Sequence, residues 1–204
     1  RVIIVEFSQE SAVLIIVEAE GRQARPDEQE ILSRYVGWGG ISQAFDEENT
    51  QWSEEYRQLK ELLTEKEYDA ARSSTLNAHY TSPTVIRAMY DAIEKMGFRT
   101  GNVLEPSCGV GNFFGMLPDG MSSSRLYGVE LDSITGRIAR QLYPDARITI
   151  SGFEKTQRRD FFDLAIGNVP FGGYKVSDKQ FDKYNFLIHD YFFAKTLEQV
   201  RPGG

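Results

Sequence analysis

After residue 75 the sequence alternates between short apolar segments and helical patterns, and this alternation constrains the fold more than any other feature. The apolar segments predict four strands, at 102–107, 125–131, 147–151 and 161–168. Between and after them lie segments whose apolar residues recur at the three- and four-residue spacing of an amphipathic helix. Strands that alternate with helices pair in parallel, because the helix carries the chain back across the sheet. The sequence therefore predicts an α/β fold with a parallel, doubly wound sheet.

The first part of the chain differs from the rest in charge. Of the 23 Lys and Arg and 30 Asp and Glu residues, 8 and 16 respectively lie in residues 1–75. Residues 76–204 are nearly neutral, so the formal net charge of −7 belongs to the leading segment. We therefore predict an acidic helical extension over 1–75 and an α/β domain over 76–204, whose neutral balance does not exclude an anionic partner.

Within the extension, a helix is predicted over 8–20, with its first residue as the cap and a strand over 13–17 as the alternative. Pro26 suits the first turn of a second helix, which is predicted to continue to about residue 36. One or two further acidic helices are predicted over 53–72. Trp38, in the sequence YVGWGG, is predicted to anchor the extension to the rest of the chain.

Composition excludes several kinds of site. With 1 Cys and 2 His in the chain, an internal disulfide cannot form, and we predict no metal site.

No apolar run approaches the roughly 20 residues that span a bilayer, and no signal-peptide pattern is present. These features predict a cytoplasmic protein without a membrane partner. The chain begins at Arg1 rather than Met, and both ends look cut from a longer protein.

A glycine turn follows the first predicted strand, in the sequence EPSCGVGNF at 105–113. Gly109 and Gly111 allow the backbone to approach a ligand and the next helix to pack closely. The spacing matches neither the dinucleotide fingerprint nor the phosphate-binding loop. Glu105 instead places a carboxylate at the strand end, which suits a cationic ligand such as S-adenosylmethionine, which carries an ammonium and a sulfonium. A plain strand-to-helix turn is the alternative.

The next two predicted strands also end in residues that suit such a ligand. Glu130 ends the second strand, where an acid accepts hydrogen bonds from ribose hydroxyls in doubly wound folds. After the third strand, Phe153 could pack on an adenine ring, and Glu154 could accept a hydrogen bond from its amino group. An ordinary solvated loop is the alternative for this third segment.

The fourth predicted strand ends in the sequence GNVPF, which suits a flat amine. The side chain of Asn168 and a neighbouring backbone carbonyl can accept the two hydrogens of the amine. Phe171 can stack on the ring that carries the amine, and the rigid Pro170 fixes the directions of the Asn168 and Phe171 side chains. Transfer of an activated methyl group to that amine depends on positioning and needs no protein nucleophile. We interpret Cys108 as a small buried residue. Because carboxyl ends of parallel strands form the ligand-binding edge, these motifs are expected to meet.

The motifs together resemble those of the N6-adenine DNA methyltransferases with an Asn-Pro-Pro-Phe/Tyr motif. The resemblance covers about 77–204 and implies the Rossmann-like S-adenosylmethionine methyltransferase fold, that cofactor, and DNA as the substrate. It implies an Asn168–Phe171 catalytic motif in which Val169 stands where the family has the first Pro and supplies a backbone carbonyl. The cofactor-binding residues that the resemblance and the strand-end patterns indicate are Tyr80, Thr81, Glu105, Pro106, Gly109, Gly111, Phe113, Glu130, Phe153 and Glu154.

A narrower resemblance extends to the leading segment. The sequences RYVGWGG, STLNAHYTSP, GNVPFG and HDYFFAK are similar to the methylase portion of large helicase–methylase proteins of conjugative elements and phages. This resemblance implies a helicase portion in the same polypeptide, and a sheet that is truncated here after its fourth strand.

Two alternatives remain open at this stage. The same clamp suits the amine of guanine or cytosine, or a glutamine amide. The chain could also bind S-adenosylmethionine or DNA without catalysing transfer. In addition, the loop at 172–185 carries Lys175, Lys179 and Lys183, which could follow phosphates or simply be solvated.

Overall fold

The computed structural model describes residues 2–75 and 81–204. Its helices and strands follow the alternating order that the sequence predicts. The helices are α1 Val2–Ala19, α2 Pro26–Leu32, α3 Ser53–Leu62, α4 Glu65–Ser74, α5 Pro83–Lys95, α6 Asn112–Gly115, α7 Ser133–Leu142 and α8 Ile188–Gln199. The strands are β1 Asn102–Glu105, β2 Arg125–Glu130, β3 Arg147–Ile150 and β4 Leu164–Ala165.

The strands form one parallel sheet in the order β3-β2-β1-β4. In the register of the central strand, Leu104 pairs with Tyr127 on one side and with Ala165 on the other. At the far side of β2, Glu130 pairs with Ile150. The prediction of a parallel α/β sheet is confirmed.

Strand β4 is much shorter than the predicted 161–168. Before it, the amides of Phe161 and Phe162 both donate to the carbonyl of Gln199, 2.8 and 3.1 Å away, instead of to β1. Phe162 also forms an isolated parallel bridge with Val200. The chain before β4 is therefore held by the end of α8, which limits the regular pairing with β1 to two residues.

The leading segment is helical, but two of its predicted boundaries are wrong. Helix α1 begins at Val2 and not at Ser8. The strand alternative for 13–17 is also wrong: Leu14 and Val17 are buried, whereas Ile15 and Ile16 are more than half exposed. A buried face that repeats every three residues belongs to a helix, since a strand would bury alternate residues.

The other predicted boundaries in this segment depend on caps. Pro26 is the first residue of α2, as predicted, but the helix ends at Leu32 and not near residue 36. Thr64 divides the predicted 53–72 region into α3 and α4. The side chain of Thr64 accepts a hydrogen bond from the amide of Glu67. In return, the carboxylate of Glu67 accepts a hydrogen bond from the amide of Thr64. This capping box starts α4 afresh.

The leading helices pack against the outer side of α7. Leu32 and Leu59 share one buried hydrophobic cluster with Ile134 and Ile138 of α7. The carboxylate of Glu18 pairs with the guanidinium of Arg137. The predicted boundary between residues 75 and 76 stays a prediction, because residues 76–80 lie outside the described ranges. None of the described helices combines the length and apolar composition that crossing a bilayer requires.

Candidate functional site

A cleft of about 220 Å³ lies at the carboxyl ends of the four strands. It collects residues from each of the predicted strand-end motifs, as expected for the ligand-binding edge of an α/β sheet. The predicted site residues that line it are Thr81, Glu105, Pro106, Gly109, Phe113, Glu130, Phe153, Glu154, Asn168 and Pro170. Tyr80 lies outside the described residues. Gly111, Val169 and Phe171 are not part of the lining.

The glycine turn connects the first two strand ends. Gly109 has a φ of +56°, a left-handed conformation that favours glycine. Its amide donates to the carboxylate of Glu130 over 2.9 Å. Gly111, with a φ of +91°, faces the ring of Tyr143, and an added Cβ would lie 2.5 Å from that ring. Gly111 therefore allows close packing behind the cleft, while Gly109 shapes the cleft itself.

Two buried carboxyl groups, those of Glu105 and Glu130, define the electrostatics of the cleft. Glu130 accepts hydrogen bonds from the amides of Gly109 and Asp132 at 2.9 and 2.8 Å. Burial raises the pKa of Glu130 to about 7. Burial, together with the charge of Glu130, raises the pKa of Glu105 well above its ordinary value. Both groups are therefore ready to be ionised by a ligand that brings positive charge or hydrogen-bond donors.

Glu105 also has an unsatisfied atom. Its side chain is only 2% exposed, and within residues 2–75 and 81–204 its Oε2 atom accepts no hydrogen bond. A buried polar atom without a partner costs free energy, so it indicates a donor that arrives from elsewhere. The atom thus supports a cationic or hydroxyl-bearing ligand in this cleft.

The leading segment contributes to the cleft through Gly37 and Trp38, which both line it. The indole nitrogen of Trp38 donates to Asp132 Oδ2 over 3.2 Å. The same carboxylate oxygen accepts from the amide of Thr135 over 3.0 Å and from its hydroxyl. The prediction that Trp38 anchors the extension is confirmed. Its position in the cleft was not predicted, because the contact joins residues 94 positions apart.

Phe153 and Glu154 lie beyond β3, and both line the cleft. Phe153 is 3% exposed, and its ring stacks on that of Phe192, with centroids 4.8 Å apart. Phe192 of α8 also lines the cleft and was not predicted. A side chain at Gly152 would overlap the carboxylate of Glu154. The glycine therefore leaves room for that carboxylate beside the cleft.

The Asn168–Phe171 segment divides between the cleft and its surroundings. Asn168 and Pro170 line the cleft, whereas Val169 packs against the hydrophobic cluster formed with α8. The ring of Phe171 is 53% exposed. The structure thus brings the amide and the proline into the cleft and leaves the aromatic ring beside it, facing solvent.

Cys108 lies within the glycine turn and is buried. An added Cβ on Gly128 would lie 2.7 Å from its sulfur, so the thiol fills the space above β2. Burial, with the charges of Glu105 and Glu130, raises the pKa of the thiol well above its ordinary value. A neutral thiol is a poor nucleophile, which supports the interpretation of Cys108 as a packing residue.

The loop at 172–185 borders the cleft with Tyr174 and Val176. Lys175 donates to the side chain of Asn185 over 2.6 Å, and the ammonium of Lys183 lies 4.8 Å from the ring centroid of Tyr184. Within the described part of the chain, no group of three or more His, Cys, Asp or Glu side chains is arranged to hold a metal ion.

Comparison with known proteins gives two relatives. The chain is 27% identical to "Defense against restriction protein B" of Escherichia phage P1, in an alignment of 205 positions that covers 98% of the chain. It is 35% identical over 79 residues, 38% of its length, to "Type II methyltransferase M.CvrRI" of Paramecium bursaria Chlorella virus XZ-6E. The chain spans only 8% and 21% of the lengths of these two proteins. No family model matches the chain.

Among solved structures, the chain is similar to the methyltransferase subunit of a type I restriction-modification system from Streptococcus thermophilus. The match has a TM-score of 0.47 and 15% identity, and it covers 93% of this chain and 51% of that one.

Proposed function

We propose that this chain is the cofactor-binding part of an S-adenosylmethionine-dependent DNA methyltransferase that methylates the N6 amine of adenine. We further propose that it belongs to a larger polypeptide with a helicase portion. The observation that carries the proposal is that ten residues of the predicted motifs line one cleft at the carboxyl edge of the sheet. The relative named as a type II methyltransferase supports the reaction class, although it matches only 38% of the chain.

The chemistry of the cleft residues fits the cofactor. When bound, S-adenosylmethionine supplies an activated methyl group. The unpartnered oxygen of Glu105 and the buried carboxyl of Glu130 would receive its positive charge and its ribose hydroxyls. Phe153 and Glu154 would contact its adenine, and Thr81 and Tyr80 its amino-acid part. No protein nucleophile is required, which agrees with the buried thiol of Cys108.

The Asn168–Phe171 segment would hold the target base. Asn168 Oδ1 and a backbone carbonyl would accept the two hydrogens of the adenine amine and keep it in plane. Phe171 is suited to receive a base that has been rotated out of the helical stack, because its ring is already exposed beside the cleft. Val169 still provides the backbone carbonyl, and its side chain has a packing role of its own.

The test is methyl transfer from tritiated S-adenosylmethionine to mixed-sequence DNA, with the methylated base identified by mass spectrometry after digestion. We expect N6-methyladenine, and a loss of at least about 100-fold in the Asn168→Ala variant, because positioning the amine is the catalytic task. Gln157→Ala, which removes an exposed amide elsewhere, should retain activity.

The outcomes separate the parts of the proposal. Methylated guanine or cytosine, or transfer to a protein glutamine, would overturn the adenine assignment. If calorimetry shows that the cofactor binds but no methyl group reaches any acceptor, the chain is a cofactor-binding module and the proposed reaction is overturned. Failure to bind the cofactor would overturn the assignment of the cleft.

A further inference from the structure

Lys195 is a buried cation that joins three separate parts of the chain. It lies on α8 and is 5% exposed. Its Nζ atom donates to Asp178 Oδ2 over 2.8 Å and to the backbone carbonyl of Glu154 over 2.9 Å. A buried ammonium needs such partners, because an uncompensated charge in the interior is very costly.

On one side of Lys195, Asp178 organises the loop at 172–185. Its Oδ2 atom also accepts from the hydroxyl of Tyr191 over 2.8 Å, and its Oδ1 atom accepts from the amide of Gln180 over 3.1 Å. The amide of Asp178 donates to the carboxylate of Asp182 over 2.8 Å. The loop therefore has an internal turn that Asp178 ties to α8, and Gln180 of the loop adds a second tie by donating to the carboxylate of Glu198.

On the other side, Lys195 holds the segment that carries Phe153 and Glu154. This segment is a single turn, in which the amides of Lys155 and Thr156 donate to the carbonyls of Gly152 and Phe153 at 3.1 Å each. The Nζ atom also lies 5.6 Å from the ring centroid of Phe153. One ammonium thus fixes both the backbone and the aromatic ring of this wall of the cleft.

We propose that Lys195 is a positioning residue that couples the cofactor-binding turn at 152–156 to the loop at 172–185. The proposed function enters this coupling only by naming S-adenosylmethionine as the ligand of the cleft; the contacts of Lys195 do not depend on it. Binding in the cleft would steady the turn, and through Lys195 and Asp178 would also steady the loop that follows Asn168–Phe171. Because the two contacts of Nζ share one buried charge, releasing either loop weakens the hold on the other.

The experiment is hydrogen–deuterium exchange of the chain, with and without S-adenosylmethionine, together with calorimetric measurement of its affinity. The decisive variant is Asp178→Asn, which removes the charge but keeps the size of a side chain that does not line the cleft. We expect it to speed exchange of the Lys155 and Thr156 amides about tenfold and to lower the affinity by a similar factor. In the wild type, the cofactor should slow exchange at 178–182.

Three further variants test whether the effects come from a general loss of structure. Lys195→Met should reproduce both effects, and the double variant should be little worse than Lys195→Met alone. Arg57→Met breaks the exposed ion pairs with Glu54 and Glu61 on α3, and it should change neither the turn nor the affinity.

The exchange measurement tests the coupling whether or not the cleft binds S-adenosylmethionine. If the wild type does not bind S-adenosylmethionine, the proposed function fails, but exchange at Lys155 and Thr156 in the free Asp178→Asn variant still tests the coupling. Unchanged exchange there, or wild-type affinity in a variant whose turn exchanges faster, would overturn the coupling.

Discussion

At the scale of single residues, the carboxyl of Glu130 makes the ligand affinity of the cleft depend on pH. Its pKa is raised by burial to about 7, so in the free protein the group is largely protonated at pH 6. A ligand that donates hydrogen bonds or brings positive charge binds better to the ionised form. Affinity must therefore rise as the pH increases through the pKa of the free protein, and binding must release protons.

We expect ionisation of Glu130 alone to raise the affinity for S-adenosylmethionine about fivefold between pH 6 and pH 7, and the raised pKa of Glu105 to make the rise steeper in the wild type. This range lies below the titration of the amino group of the ligand, near pH 8. Calorimetry in two buffers of different ionisation enthalpy measures both the affinity and the released protons. In Glu105→Gln, any pH dependence that survives belongs to Glu130. An affinity that is constant over this range would contradict a titrating carboxyl in the cleft.

At the scale of elements, the approach of α7 to the sheet depends on Gly136. An added Cβ at this position would lie 2.8 Å from Cγ1 of Ile150, on β3. In an exposed helix the change from glycine to alanine stabilises by about 1 kcal/mol. Here the methyl group would push α7 away from β3, and overpacking of this kind costs about 1–3 kcal/mol.

We therefore expect Gly136→Ala to lower the free energy of unfolding by about 1 kcal/mol, which is the overpacking cost less the gain in helix propensity, as measured by urea denaturation. Gly120→Ala is the matched control, because its Cβ would lie 3.5 Å from Glu94, an ordinary contact. The control should change stability by less than about 0.5 kcal/mol. Equal effects of the two substitutions would show that α7 can move away from the sheet without cost.

Some boundaries of helices and strands follow from neighbouring residues in the sequence, and others depend on distant contacts. The start of α2 at Pro26 was predicted, because the preference of proline for the first helical turn is a local signal. The length of β4 was not, because it depends on the carbonyl of Gln199 rather than on the strand itself. The apolar segment correctly predicted a strand, but the number of its residues that pair with β1 depends on contacts with the end of α8.

At the scale of the whole molecule, the leading helices and the sheet are joined through a shared hydrophobic cluster and through Trp38. The indole is fully buried, and its hydrogen bond to Asp132 reaches the turn that follows Glu130. The leading segment therefore supports one wall of the cleft.

We expect Trp38→Phe to lower the free energy of unfolding by about 1–3 kcal/mol, because it removes a hydrogen bond to a buried carboxylate and shrinks a buried ring. Trp52→Phe, at a half-buried position in the same cluster, should cost clearly less. Urea denaturation followed by circular dichroism measures both variants. A cost for Trp38→Phe no greater than that for Trp52→Phe would mean that the bond to Asp132 does not stabilise the molecule.

The sequence by itself determined the parallel α/β fold and the residues that end each strand. Glu105, Glu130 and Asn168 could be found because each follows a local apolar segment, and parallel strands bring their carboxyl ends to one edge. Only the tertiary structure decided which further residues join them. Trp38 reaches the cleft across 94 positions, and Lys195 reaches Glu154 across 41. Such contacts depend on how helices pack over the sheet: the apolar spacing of a helix predicts that one face is buried, but it does not say which distant residues that face meets.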